Sequence, residues 1–160
     1  MSATTKTTAA TVRPKEFHFP LTVTWTSGRR VTAQVEGKQA IEITPPPVFR
    51  GTDPTTWSPE DFFVAAAASC LAVTFTGLAD RAGLAYSSLK VDADGVASMR
   101  TDGCFGFTRL LLRLQVETTD VGGDAQAREL AQKAEETCLV SASLDLPVET
   151  VIQVTGAAVV

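Results

Sequence analysis

The chain has no CxxC pair, a single histidine and only three cysteines. A closed structural zinc site takes four Cys or His ligands, so it would have to gather His18, Cys70, Cys104 and Cys138 from across the whole chain. No metal is therefore expected. No basic run exists and the net charge is −4, which argues against nucleic acid or an anionic membrane surface as the main partner. The longest apolar run, Phe62 to Val73, is interrupted by Ser69 and is too short to span a bilayer. A glycine-rich phosphate loop, a βαβ repeat and internal repeats are also missing, so nothing points to a nucleotide cofactor.

What is present suits a globular chain of 160 residues, with 44% hydrophobic and 20% charged residues, enough to bury one core. Residues 1–11 are rich in Ser, Thr and Ala and lack the apolar centre of a secretory signal. The expected organisation is a flexible tail over residues 1–16 and one folded domain over 17–160. A cytoplasmic location is expected, with thiols reduced at rest.

The amino-terminal half alternates with a period of two. Leu21, Val23 and Trp25 interleave with threonines, Ser27-Gly28-Arg29 turns the chain, and Val31, Ala33 and Val35 form a second strand. Gly37-Lys38 turns again into a short strand through Ile41 and Ile43. Arg29 is in register with the inward Val31 if the second strand begins there; otherwise it sits at the strand mouth in water, while Arg30 shares the outer face of Thr32. A proline-rich connection follows from Thr44 to Trp57; it is either a stiff surface connector or, with the apolar weight of Phe49 and Trp57, the cover of an apolar pocket.

Ser58-Pro59-Glu60-Asp61 is a helix start: a capping hydroxyl, proline at the first helical position, and acids at the positive end of the dipole. The helix is expected to run to about Arg81, to stop at Gly83, and to be buried centrally, because it is apolar nearly all round. Strand-like segments at Leu89 and Val91, and again at Val96, are expected to be interrupted by Asp94-Gly95. A strand over Phe105 to Glu117, a helix over Asp124 to Cys138, an irregular stretch, and a closing strand over Val151 to Val159 complete the order. The fold class is α+β with antiparallel sheets around two helices.

Cys70 lies mid-helix behind four alanines, and Cys138 ends the second helix. Taken singly, a cysteine in the place of Cys70 is more often a small core side chain than a nucleophile, and Cys138 is similarly ambiguous. Cys104, in Asp102-Gly103-Cys104, has the setting of a structural turn residue. Taken together, Ser58-Pro59-Glu60-Asp61 through Ser69-Cys70-Leu71, then Glu135-Glu136-Thr137-Cys138 with Val140-Ser141, and the Ser27-Gly28-Arg29 turn resemble the OsmC/Ohr family of thiol peroxidases over roughly residues 17–160.

The resemblance implies that Cys70 is the peroxidatic residue, Cys138 the resolving one, and Arg29 and Glu60 the polar pair that activates Cys70. Only a thiolate attacks an O–O bond well, and a nearby guanidinium favours the thiolate. It implies an organic hydroperoxide as substrate (hydrogen peroxide less readily), a lipoyl-type or thioredoxin-like dithiol as reductant, a role in oxidative stress, and no cofactor. Glu60 and Cys70 are about 15 Å apart along a straight helix, so one arginine cannot comfortably touch both. Either the helix breaks near Val64, or Arg29 and Glu60 come from a second copy in an intertwined homodimer, which the family also implies. This chain departs from the family in having Cys138-Leu139 where Cys-Pro is frequent, and in the Arg29-Arg30 doublet, which leaves the catalytic arginine open by one position. The rival reading is a non-catalytic module of the same fold that binds a small apolar or thiol-containing ligand.

Overall fold

The structure, a computed structural model, describes residues 15–156. The expected tail lies outside them apart from Lys15 and Glu16, as does the end of the expected closing strand. The chain divides into two compact units at Ile43/Thr44.

The first unit is a three-stranded antiparallel meander, β1 (Thr22–Ser27), β2 (Arg30–Gln34) and β3 (Ile41–Ile43). Gly28 takes a φ of +53° in the β1–β2 turn, which a glycine adopts without steric cost. Arg29 occupies that turn and is exposed, so it falls outside the strand and off its inward face. Arg30 opens β2 and pairs with Glu42 of β3, as its outward register requires.

The second unit begins with the proline-rich connection, where a single 3₁₀ turn, Pro47–Phe49, is followed by Arg50 in the left-handed region. Gly51 is obligatory there, because a Cβ would stand 1.8 Å from the Pro45 carbonyl oxygen. Helix α1 (Pro59–Ala82) starts and stops as its sequence requires. Ser58 and Asp61 form a reciprocal capping box, and Gly83 closes the helix in the left-handed conformation.

Only one stripe of α1 is buried: Ala67, Leu71, Phe75 and Ala79, each four residues from the next. The expectation of a helix buried on all sides is therefore corrected. Outside the stripe, Val73 is 69% exposed. The apolar stretch is also longer than its uninterrupted run, because Thr74, Thr76 and Gly77 dilute it without breaking the helix. By length and composition alone, α1 is long and apolar enough to cross a membrane.

The buried stripe packs on a sheet of β4 (Tyr86–Met99), β5 (Phe105–Thr118) and β6 (Val148–Thr155), in the order β4-β5-β6. Leu110, Leu112, Leu114 and Val116 alternate along β5 and form its buried face. Helix α2 (Gly123–Glu136) buries Ala127, Ala131 and Ala134, small residues that let it approach closely.

Three expectations are corrected here. The sheet is mixed rather than antiparallel throughout, since β6 runs parallel to β5, reached by a crossover through α2. Asp94-Gly95 does not interrupt β4. Gly95 pairs with Leu110, and its missing Cβ leaves room for Val64 and Phe107, whose atoms would stand 2.6 and 2.8 Å from it. The stretch after α2 is not wholly irregular, because it contains a short helical turn, α3 (Leu139–Ala142).

Candidate active site

Cys70 sits halfway along α1, and Cys138 lies just beyond α2, where it precedes the first residue of α3. Helix α1 packs against α2 and α3, which sets Cys70 against the core cluster that contains Cys138, although the two are distant in sequence. Both are free thiols. Cys138 is 1% exposed and belongs to the core, whereas Cys70 is half-buried at its edge.

The surroundings of Cys70 oppose one another electrostatically. Burial pushes its thiol up, because a thiolate loses hydration. Against this act the Val140 backbone N–H, the Cys138 thiol, the Thr74 hydroxyl and the Leu139 backbone N–H, in that order. Together they outweigh burial and hold the Cys70 thiol below its ordinary value. Leu139 and Val140 are the first residues of α3, whose opening amides have no carbonyl one turn back to bond. Leu139 also explains why the departure from Cys-Pro has a physical consequence: a proline there would carry no N–H.

Ser141 extends the network. Its Oγ donates to Cys138 Sγ at 3.3 Å. Thr74 and Ser141 are functional candidates that sequence reasoning did not assign. Each stands three or four residues after a cysteine in a helical segment, a spacing that places side chains on one face.

The other candidates are placed as follows. Glu60 is in the first turn of α1, and its Oε2 is buried without a hydrogen-bond partner among the described residues. Such an atom is costly unless a donor arrives. Arg29 belongs to the β1–β2 turn of the first unit. Cys104 is exposed in the β4–β5 hairpin turn, where its N–H donates to Asp102 Oδ1 at 2.9 Å.

The largest cleft described, of about 490 Å³, is lined by Trp57, Asp61, Val64, Ala65, Ala68 and Asp94 among others. Trp57 borders it as expected, but Phe49 does not, since it packs edge-on against Phe105. Cys70 is not in its lining. Among the described residues no group of three or more His, Cys, Asp or Glu side chains is placed to hold a metal.

This arrangement of helices and sheet has relatives. The profile of the OsmC-like protein family matches residues 51–153. An uncharacterized protein, YmaD of Bacillus subtilis (strain 168), is 28% identical over 138 residues, covering 84% of this chain and 91% of that one. The structure of an OsmC-like protein of unknown function from Vibrio cholerae O1 biovar eltor str. N16961 superposes with a TM-score of 0.79 at 23% identity, over 86% of this chain and 99% of the other. An organic hydroperoxide resistance protein from Elizabethkingia anophelis superposes with a TM-score of 0.68 at 19% identity, over 89% and 99% of the two chains. The organic hydroperoxide resistance protein OhrB of Bacillus subtilis gives 0.58 at 22% identity, over 86% and 98%.

Proposed function

Because the chain belongs to the OsmC-like protein family, we propose that it is a dithiol peroxidase that reduces organic hydroperoxides in the cytoplasm as part of an oxidative stress response. The observation that carries this reading is that Cys70, packed against the core cluster that holds Cys138, is kept below its ordinary pKa by groups that include the Cys138 thiol. Core packing alone does not need a lowered pKa.

The cycle follows from the chemistry of sulfur. The Cys70 thiolate attacks the terminal oxygen of the hydroperoxide. An S–O bond forms, the O–O bond breaks, and the alkoxide leaves to take a proton as the alcohol. The sulfenic acid on Cys70 is then captured by Cys138, with loss of water and formation of a disulfide. A dithiol returns both sulfurs to the reduced state. Immediate capture by a buried neighbour protects Cys70 from further oxidation.

Arg29 and Glu60 complete the site, contributed by a second copy of the chain in a homodimer. Two features support this. Helix α1 runs unbroken past Val64, which leaves Glu60 about 15 Å from Cys70 along the axis. Among the described residues the buried Glu60 Oε2 has no donor, as expected of a carboxylate whose site is finished by a partner. Exposed apolar residues stand on α1, Val73 among them, and separately on the amino-terminal sheet, Val23 and Trp25 among them, and a partner would cover them. A monomer that sediments as such and keeps full activity would contradict this assembly.

The test is turnover of cumene hydroperoxide with a dithiol. The parent consumes it, and Cys70→Ser abolishes consumption. Equal turnover by parent and Cys70→Ser sinks the enzyme reading. The second reading, a ligand-binding module, is favoured by one feature: the largest cleft described does not reach Cys70. That reading requires Cys70→Ser to bind ligand as the parent does, with no peroxide consumed by either.

A further inference from the structure

A second cleft, of about 220 Å³, is lined by Leu71, Leu112, Glu135, Glu136, Ser141 and Thr150 among others; neither cysteine is in its lining, and Ser141 links it to Cys138. Ser141 faces two ways: it borders this cleft, and its Oγ donates to Cys138 Sγ. Leu71 is the chain neighbour of Cys70. Cys138 itself is 1% exposed, so an outside thiol reaches its sulfur only where a wall residue is small and can yield. Serine is such a residue. The exposed Glu135 and Glu136 bring two carboxylates to the same cleft.

We infer that this cleft is the entry site of the reductant, an uncharged or cationic dithiol that attacks Cys138 Sγ of the oxidised pair, while Glu135 and Glu136 turn anionic thiols away. The inference rests on the disulfide cycle proposed above. In the first step the reductant's thiolate bonds to Cys138 Sγ as the Cys70–Cys138 bond breaks, and the electron pair leaves on Cys70. Cys70 is the better leaving group because Thr74 and the Leu139 and Val140 amides are already set to receive its negative charge. In the second step the reductant's other thiolate attacks its own bonded sulfur and closes a cyclic disulfide. Cys138 leaves as a thiolate, accepts the Ser141 hydrogen bond, and takes a proton from water. Two electrons pass from dithiol to protein.

Dihydrolipoamide and dihydrolipoate test this, because they share one dithiol and differ in a single carboxylate. The protein is first oxidised with diamide, without peroxide, and the loss of two thiols is verified. Reduction is then followed by stopped flow at low salt. Dihydrolipoamide is expected to react about fivefold faster, as two carboxylates acting across several ångströms of water allow, and salt should erase the difference. In Glu135→Gln/Glu136→Gln the ratio of the two rates should fall toward one. In Glu129→Gln, which alters an exposed carboxylate of α2 outside the cleft lining, the ratio should stay at the parental value. A parental ratio near one, or a ratio unchanged in the double variant, overturns the entry site and leaves the peroxidase reading standing. Failure of diamide to remove two thiols overturns both.

Discussion

Ser141 Oγ hydrogen-bonds to Cys138 Sγ, and Ser141 is the donor. Cys138 Sγ thus accepts from the Ser141 hydroxyl, while the Val140 amide, the Cys138 thiol, the Thr74 hydroxyl and the Leu139 amide together hold the Cys70 thiol below its ordinary value against burial. The two sulfurs also differ in setting, Cys138 buried in the core and Cys70 half-buried at its edge.

The pH dependence of Cys70 follows with a definite sign. In a Cys104→Ser background, the rate of alkylation of Cys70 by iodoacetamide should reach half its maximum below the value near 8.5 of a free cysteine. In Cys138→Ala the midpoint should rise, since one donor is lost, but the amides remain. The folded pKa lies below the unfolded one. Ionised Cys70 therefore adds stability that is complete above the unfolded pKa and is lost as pH falls through the folded one. The melting temperature of the parent relative to Cys70→Ser should increase as the pH rises from neutral toward the unfolded thiol value near 8.5. A flat difference over that range would contradict the network.

Shared sites can be detected by mixing inactive variants. Arg29→Met should lower kcat about a hundredfold, the usual cost of one lost charge-stabilising donor, whereas Arg30→Met, whose residue pairs with Glu42, should stay near the parent. Refolding Arg29→Met together with Cys70→Ser should restore about a quarter of the parental activity, since half the dimers then hold one intact site. Steady-state assay of the mixture measures this, and no recovery would place Arg29 and Cys70 in the same copy.

Gly95→Ala tests how closely α1 lies on β4. The added Cβ would meet Val64 Cγ2 at 2.6 Å and Phe107 Cε1 at 2.8 Å. A loss of about 1–3 kcal/mol in chemical denaturation is expected, as for other overpacked cores. Val64→Ala in the same chain should return part of it, a coupling that a double-mutant cycle reads directly.

Removing the cap of α1 gives a local control. Ser58→Ala should cost about 1 kcal/mol in chemical denaturation, because the Asp61 N–H loses its acceptor and the Asp61 carboxylate one of its two donors from Ser58. An unchanged midpoint would mean that the capping box contributes nothing measurable.

The ends of α1 were legible in the sequence because capping is local chemistry: Ser58, Pro59 and Asp61 act within four residues, and Gly83 acts alone. The course of β4 was not legible. Gly95 reads as a break when only its chain neighbours are known, yet its cause is Val64, thirty-one positions away. The direction of β6 was equally hidden, since strand polarity depends on the crossover rather than on any residue in the strand. At the site, Cys70 and Cys138 were found through a family resemblance, not through spacing. The donors that make Cys70 acidic escaped notice because two of them are main-chain amides, which no amino-acid letter records.

The most direct test of the account is a non-reducing peptide map of the protein after one equivalent of cumene hydroperoxide. A single new linkage between the peptides carrying Cys70 and Cys138 is expected, with the Cys104 thiol intact and no over-oxidised Cys70. A Cys70 found as sulfinic or sulfonic acid beside a free Cys138, or a bridge that uses Cys104, would contradict it.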